Sequence, residues 1–208
     1  MSVEAGMKSL LARRAADIEA GAEPVGWKIG LNVPEVQQRL GLEGPVVGYL
    51  TSEGLIAPGE TISIEAWKVP MIEPEVAIRV GEDGEVAVIS PALELVDIDR
   101  PLDDIVGVLE GNVFHRGVCF GAEAPGDALA GASCRLVVDG VEERATDELI
   151  DAAEILAYVR GFLARHGVTL APGERIIAGS LTPPVSLEPD RRIELDLGPI
   201  GSLSLSTR

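Results

Sequence analysis

The 208-residue sequence predicts an α+β protein that is mainly β-structure, built around a sheet that folds over on itself. Few segments carry helical periodicity, and most of the chain consists of short apolar stretches separated by Gly and Pro. Apolar residues make up 46% of the sequence, which is enough for a full core and excludes intrinsic disorder. The length indicates one domain, or two at most.

The first helix is predicted over Met7–Ala20, and Gly21 is a suitable stop signal. From Val25 the pattern changes to short strands, which continue to about Thr146 and are interrupted by one short helix at Val36–Leu40. The apolar residues that lie near one face of the first helix are Leu10, Leu11, Ala15 and Ile18.

Three turns with a shared signature each lead into a strand. Pro presets φ at the second turn position, and Gly supplies a positive φ at the third. We interpret these turns as scaffold. The turn–strand units are Ala57–Glu60 before Thr61–Ile64, Ala171–Glu174 before Arg175–Ala178, and Glu188–Asp190 before Arg191–Leu197.

A second long helix is predicted over Asp147–His166, with Asp147 as its N-cap and Gly167 as its stop. The apolar residues that keep helical spacing there are Leu149, Ala153, Leu156, Val159 and Leu163.

The charge balance narrows the choice of partners. Asp and Glu number 34 against 17 Lys and Arg, which gives a net charge of −17, and the only lysines are Lys8, Lys28 and Lys68. This composition argues against binding to nucleic acid or to anionic lipid, because both need clustered basic residues. It suits a divalent cation, whereas an anionic substrate would need a local positive centre.

No apolar stretch is long enough to span a membrane, and Met1–Arg14 has no apolar core of a secretory signal. Cys119 and Cys134 form no disulfide framework or paired metal motif. We therefore expect a cytoplasmic protein.

Two carboxylates are expected side by side at Glu73-Pro74-Glu75. Residues two apart on a strand point to the same face, and like charges at that distance need a cation or a proton between them. A third carboxylate, Glu94, lies in the apolar stretch Ser90–Val96. Three carboxylates without clustered His or Cys suit a hard cation such as Mg²⁺ or Mn²⁺. The alternative interpretation is that all three are solvated on amphipathic strands.

Lys28 is isolated in the apolar, Gly-flanked segment Gly26–Leu31. A partly buried lysine serves as an acid, a base or an anion anchor, and the alternative is a strand lysine that reaches solvent.

The segment Gly179–Pro184 offers hydroxyls and backbone donors for a carboxylate or carbonyl, or is a plain turn. His115 is a weaker acid–base candidate, and His166 is expected at a helix C-terminus. Serine-hydrolase, dinucleotide-binding and phosphate-loop motifs are absent from the sequence.

In this order, the segments resemble the fumarylacetoacetate hydrolase superfamily, and within it the branch of 2-keto-4-pentenoate hydratases that also holds 4-oxalocrotonate decarboxylases. The resemblance covers most of the chain from about Gly26 onward. The matching stretches are Gly26–Leu31, Arg39–Leu42 running to Gly48–Leu50, Ile72–Ala77, Pro91–Val96, Gly179–Pro184 and Leu197–Leu203.

The resemblance implies a mixed β-sandwich roll with one long helix and a short N-terminal helix. Residues 1–25 would form the N-terminal helical segment and residues 26–208 the catalytic domain. It further implies a homodimer or higher homo-oligomer, or a complex with a related decarboxylase. By the same resemblance, Glu73, Glu75 and Glu94 match a trio that binds Mg²⁺ or Mn²⁺, Lys28 matches the active-site lysine, and Ser180, Leu181 and Thr182 line the substrate pocket.

Several positions depart from the family pattern. Val46 stands where these enzymes tend to carry an Asp used in acid–base chemistry, and Thr146–Asp151 replaces a Gly-His-Pro element. The N-terminal helical region looks shorter than in full-length hydratases, and Gly81–Glu85 resembles a simple hairpin turn between the predicted ligands.

The activity implied by the resemblance is hydration of 2-hydroxypenta-2,4-dienoate, or of a similar small 2-keto acid, to a 4-hydroxy-2-keto acid. One alternative is a metal-dependent enzyme of the same superfamily that decarboxylates a 2-keto acid or hydrolyses the C–C bond of an acylpyruvate. The hydrolysis needs a His–Glu pair, for which His115 with Glu110 is the candidate. The other alternative is a non-catalytic relative that binds a keto acid, or a partner subunit.

Overall fold

The computed structural model describes residues 3–208, and within that range strands outnumber helices. The helices are Val3–Glu19 (α1), Pro34–Leu40 (α2), Ile105–Glu110 (α3) and Ala152–Arg165 (α4). The strands are Pro24–Gly30 (β1), Val46–Thr51 (β2), Leu55–Ile56 (β3), Thr61–Ile62 (β4), Pro70–Val80 (β5), Val86–Asp97 (β6), His115–Phe120 (β7), Cys134–Val138 (β8), Val141–Thr146 (β9), Arg175–Ile177 (β10), Val185–Ser186 (β11), Arg192–Asp196 (β12) and Ser202–Thr207 (β13).

The strands form two mixed sheets. The larger sheet runs β2-β1-β10-β5-β6-β7-β3, with β11 also paired to β5, and the smaller runs β4-β13-β12-β8-β9. Parallel pairs occur at β1–β10, β3–β7 and β4–β13, while the other pairs are antiparallel. Leu93 of the larger sheet and Leu195 and Leu205 of the smaller belong to the same buried core. The prediction of a mainly β, α+β protein is confirmed.

The hairpin of β5 and β6 is the longest strand pair, and it carries the three predicted carboxylates. Gly84 closes its turn with φ of +81°, and the Gly81 N–H donates to the Glu85 carbonyl at 2.8 Å. The prediction of a simple hairpin turn at Gly81–Glu85 is therefore confirmed. Because the antiparallel register is continuous through the middle of the hairpin, residues on the two strands face each other in a fixed order.

The three predicted turns precede strands as expected. Gly59 and Gly173 have φ of +82° and +84°, and in both Pro-Gly turns the Glu that follows donates its N–H to the Ala three residues earlier. Each of those glutamates also folds back, so that its carboxylate accepts from the N–H of the same Ala. At the third turn Asp190 takes the positive φ, at +59°.

Helix α4 begins later than predicted. Its N-cap is Asp151, whose Oδ1 accepts from the N–H groups of Ala153 at 2.9 Å and Glu154 at 3.0 Å. The prediction of Asp147 as the cap is wrong, because residues 147–151 connect β9 to the helix and Asp147 is exposed. The buried face agrees with the predicted spacing at Leu156, Val159 and Leu163, and Gly167 follows the helix with φ of +72°.

The N-terminal helix is longer than predicted. It spans 17 residues against 14 in α4, so the expectation of a short N-terminal helix beside one long helix is wrong. The buried residues of this helix are Gly6, Met7 and Leu10, and the predicted Leu11 and Ala15 are not among them. The helix packs closely against α3 at Gly6, where a Cβ would lie only 2.7 Å from the Leu109 side chain. The sequence analysis missed α3, whose six residues are too few to show helical periodicity.

Strand β1 begins at Pro24, next to the predicted boundary between residues 1–25 and 26–208, and that division stays a prediction. Cys119 and Cys134 are buried free thiols. Within residues 3–208, no helix combines the length and the apolar character needed to cross a bilayer.

We predict that replacing the cap residue, Asp151→Ala, lowers the free energy of unfolding by about 1 kcal/mol, because two N–H groups lose their acceptor. Urea unfolding monitored by circular dichroism measures the change. Asp147→Ala is the matched control and should leave the midpoint unchanged. An equal loss in both variants would contradict the assignment of the cap.

Candidate metal centre

Three carboxylates meet on one face of the β5–β6 hairpin. Glu73 and Glu75 are two residues apart on β5, and Glu73 is paired in register with Glu94 on β6. One ligand oxygen from each of the three lies within 4.8 Å of the others. Glu75 and Glu94 have no exposed surface, whereas Glu73 is partly exposed. The structure therefore brings the predicted trio together and rules out the alternative of three solvated side chains.

Each of the two fully buried carboxylates has one oxygen bound by the protein and one left without a partner. Glu75 Oε2 accepts from the Gly179 N–H at 2.8 Å, and Glu94 Oε1 accepts from Lys28 Nζ at 2.5 Å. Glu75 Oε1 and Glu94 Oε2 are buried without a hydrogen-bond partner among the described residues. Buried unpaired carboxylate oxygens are costly, so this donor set fits a hard divalent cation that would bind them.

The charges of the trio are unequal. Burial, together with the nearby Glu94 charge, raises the pKa of Glu73 to about 7. Burial and the charges of Glu94 and Glu73 raise the pKa of Glu75 well above its usual range. Burial also acts to raise the pKa of Glu94, but the Lys28 ammonium and the His115 hydrogen bond more than offset this and keep it low. Without a cation, Glu94 is therefore the member of the trio that holds its charge most firmly.

Lys28 lies on β1, and its side chain is almost completely buried. Its Nζ donates to Glu94 and to the Val113 carbonyl, the latter at 3.1 Å. Gly48 faces Lys28 across the β1–β2 ladder, where a Cβ would lie 2.9 Å from Lys28 Cγ. The missing side chain at Gly48 therefore leaves the space through which the lysine reaches the carboxylates.

A strained turn presents the Val113 carbonyl to Lys28. Asn112, Val113 and Phe114 have φ of 55°, 54° and 66°, a left-handed conformation that is unfavourable for a β-branched residue. The Asn112 side chain holds the turn to β2, since its Oδ1 accepts from the Tyr49 N–H and its Nδ2 donates to the Tyr49 carbonyl, both at 2.9 Å. The sequence analysis did not identify Asn112 or Val113 as site residues, and the only local signal is that Asn tolerates positive φ.

The predicted substrate-binding residues share one cavity with Glu73 of the carboxylate trio. The cavity measures about 600 Å³, and Lys28, Glu73, Ser180, Leu181 and Thr182 are all part of its lining. The loop that carries the last three is held from within, because the Ser180 hydroxyl donates to the Thr182 carbonyl at 2.7 Å and the Leu181 N–H donates to the Pro74 carbonyl at 2.9 Å.

The predicted pairing of His115 with Glu110 is wrong. His115 Nδ1 lies 2.7 Å from Glu94 Oε1, and its buried Nε2 has no partner among the described residues. Glu110 is exposed at the end of α3, because the left-handed turn that follows reverses the chain into β7. His115 lines a second cavity, of about 510 Å³, together with Arg13 and Asp17 of α1.

Two further positions lie outside the cavity that contains Lys28 and Glu73. Val46, at the position where the family pattern tends to have an Asp, lines a third cavity beside α4. His166 follows the C-terminus of α4, and its ring packs against Phe162 at a tilt of 46°, with ring centroids 5.0 Å apart. Neither side chain is placed to act with Lys28.

Comparison with known proteins gives relatives along most of the chain. A 4-oxalocrotonate decarboxylase from a Pseudomonas species is 29% identical, covering 91% of this chain and 81% of the relative. A 2-keto-4-pentenoate hydratase from Paraburkholderia xenovorans (strain LB400) is 27% identical, covering 89% and 77%. No family model matches the chain.

Solved structures share the architecture at low identity. The 4-oxalocrotonate decarboxylase from Pseudomonas putida G7, complexed with magnesium and adipate, superposes with a TM-score of 0.89 at 18% identity and covers all of this chain and 87% of its own. Fumarylpyruvate hydrolase from Pseudomonas aeruginosa, in complex with Mn²⁺ and pyruvate, gives 0.65 at 18% identity and covers 87% of this chain and 88% of its own.

The relatives and the shared fold confirm the resemblance of this chain to the fumarylacetoacetate hydrolase superfamily, and within it to the branch of 2-keto-4-pentenoate hydratases and 4-oxalocrotonate decarboxylases.

Proposed function

We propose that this protein is a divalent-metal-dependent hydro-lyase that hydrates 2-hydroxypenta-2,4-dienoate, or a similar small 2-keto acid, to a 4-hydroxy-2-keto acid. The observation that carries the proposal is the trio of Glu73, Glu75 and Glu94 beside Lys28, with unpartnered oxygens on the two buried members. The relative named 2-keto-4-pentenoate hydratase supports this choice of substrate.

In this proposal Glu73, Glu75 and Glu94 hold Mg²⁺ or Mn²⁺. When bound, the cation supplies a Lewis acid for an α-keto acid, which lowers the energy of an enolate. One structural neighbour is complexed with magnesium and the other with Mn²⁺, which supports this choice of metals.

Lys28 has one donor left for the substrate. An ammonium group has three N–H donors, and two of them are bound to Glu94 and the Val113 carbonyl. We assign the third to the substrate carboxylate, which needs a local positive centre in a chain of net charge −17. Ser180, Leu181 and Thr182 position the carbon chain, and the apolar wall around it excludes water.

The reaction would move one proton and then add one water. The dienol becomes the conjugated ketone when the 2-hydroxyl proton is lost and a proton is gained at C5. Water then adds across C3 and C4, with the hydroxyl bound at C4 and the proton at C3. Among the residues described, Glu73 and Lys28 are the only titratable side chains of the lining. The alternative to an ammonium that anchors the carboxylate is a neutral Lys28 amine that takes the proton of the 2-hydroxyl.

Decarboxylation of a 2-keto acid is the second candidate, because it uses the same enolate and because the relative at 29% identity carries that name. Hydrolysis of an acylpyruvate has less support, since His115 lines the second cavity and not the one with Lys28. Parallel assays of dienoate hydration, 2-keto acid decarboxylation and acetylpyruvate hydrolysis with Mg²⁺ separate the three. We expect hydration to be fastest, and binding of metal and oxalate without any turnover would indicate a non-catalytic relative.

We further propose the mixed β-sandwich roll for residues 26–208 as the catalytic domain, with residues 1–25 as a helical segment attached to it. A homodimer or higher homo-oligomer in the cytoplasm is the proposed assembly and location, with a complex with a related decarboxylase as the alternative. Size-exclusion chromatography with light scattering tests the assembly.

We predict that Glu73→Gln lowers metal-dependent turnover of 2-hydroxypenta-2,4-dienoate at least about a hundredfold, because a neutral amide is a poor ligand for a hard cation. The loss of dienoate absorbance at saturating MgCl₂ measures the rate. Glu85→Gln, in the exposed turn of the same hairpin, is the control and should keep full activity. Unchanged activity in Glu73→Gln would refute the assigned trio.

We also predict that Mg²⁺ stabilises the protein more at about pH 8 than at about pH 5.5. Because burial and the Glu94 charge raise the pKa of Glu73 to about 7, the metal-free folded state binds more protons than the unfolded state below that pH. Its stability therefore falls as the pH rises from the usual pKa of a glutamate through about 7, and a bound cation offsets this loss.

Thermal unfolding with and without MgCl₂ at the two pH values measures the effect. Glu73→Gln should melt higher than the parent protein in the absence of metal at about pH 8, because it removes one of the like charges, and it should gain little from Mg²⁺. An equal Mg²⁺-induced shift at both pH values in the parent protein would contradict the prediction.

A further inference from the structure

The cavity that contains Lys28 and Glu73 has an otherwise uncharged lining. Within the described chain, these are the only charged residues of its lining. The remainder is mostly aliphatic or aromatic and comes from α2 and the loop before it, from the segment after β6, and from the loop before β11. Its bulkiest members include Val36, Ile98, Leu102, Phe114, Leu181 and Pro184.

Three neutral polar side chains of the lining, those of Asn32, Ser180 and Thr182, each donate a hydrogen bond within the protein. Asn32 Nδ2 donates to the Ser180 carbonyl at 3.2 Å, and the Ser180 hydroxyl donates to the Thr182 carbonyl. Arg144 of β9 is a cation that contacts this wall from outside the lining. Its Nε donates to the Pro183 carbonyl at 3.3 Å and its Nη1 to the Glu143 carbonyl at 2.7 Å, and it is not part of the lining.

A substrate with a second carboxylate would therefore lack a partner for that group. The keto-acid end of the molecule uses Lys28 and the metal trio, so its far end lies against the apolar wall. A carboxylate placed there loses hydration without gaining a cation, and the net charge of −17 adds to the cost. An alkyl or alkenyl chain at the same place gains free energy from burial.

We infer that this site selects 2-keto acids whose far end is an uncharged apolar chain and rejects 2-keto dioic acids. The inference rests on the proposed function and adds the substrate class to it. A cavity of about 600 Å³ falls in the range that holds drug-sized ligands, so chains longer than five carbons fit as well.

Calorimetric titration of the Mg²⁺-loaded protein tests this with two matched pairs, 2-oxopentanoate against 2-oxoglutarate and 2-oxohexanoate against 2-oxoadipate. Within each pair only the terminal methyl is replaced by a carboxylate. We expect the monoacid to bind at least about tenfold more tightly in both pairs. From 2-oxobutanoate to 2-oxohexanoate we expect about a fourfold gain in affinity for each added methylene.

Equal or tighter binding of the dioic acids, while oxalate still binds with Mg²⁺, would overturn the inference and leave the proposed function standing. If oxalate and every 2-keto acid fail to bind the Mg²⁺-loaded protein, both the inference and the proposed function are overturned. The two failures are therefore distinguishable in one set of titrations.

Two substitutions sharpen the test. Leu102→Arg places a cation on the partly exposed part of the wall and should reduce the preference for 2-oxohexanoate over 2-oxoadipate at least about tenfold, whereas the neutral control Leu102→Gln should not. Arg144→Gln should leave the preference of the parent protein unchanged. If Arg144→Gln weakens the binding of 2-oxoadipate but not that of 2-oxohexanoate, Arg144 already binds the far carboxylate and the inference is wrong.

Discussion

The buried ion pair between Lys28 and Glu94 is the interaction on which the site depends. A buried pair of this kind gains little net stability, because both charges lose their hydration, and removing one partner leaves the other uncompensated. Here the lysine compensates the charge of Glu94 while Glu73 and Glu75 stay close to it on β5. Without the ammonium, the three carboxylates would share this face of the sheet with no buried positive charge of the protein beside them. Gly48 and the Val113 carbonyl both serve to keep the ammonium in place.

The charged residues and the apolar residues of the site lie on different kinds of structural element. The charged groups lie on β1, β5 and β6, strands of one sheet that are paired on both sides, so their positions are fixed by ladder hydrogen bonds. The apolar wall comes mainly from α2 and from loops. This arrangement keeps the chemistry of the α-keto end constant, while the shape of the far end depends on segments that change without disturbing the sheet.

Much of this arrangement could be read from the sequence, because strand alternation alone predicts that Glu73 and Glu75 share a face and the Pro-Gly turns mark where strands begin. The cap at Asp151 and the helix α3 could not, because their signals are shorter than one helical repeat. The partner of His115 also escaped prediction, since it follows from the register of β6 against β7 and from a left-handed turn. The assignment of Lys28 and the trio to one centre relied on family resemblance, and their proximity is a property of tertiary structure.

The left-handed turn at Asn112–Phe114 lowers the stability of the fold locally, and it also holds the Val113 carbonyl against Lys28. A glycine at position 113 would relieve the unfavourable φ, and the fold would gain from it locally. The same change would free the backbone that fixes the carbonyl against Lys28, so the lysine would lose one of its two constraints. Selection for stability alone would therefore replace the strained residue with glycine. If related proteins keep a β-branched residue at this position, Lys28 is still under selection for its function.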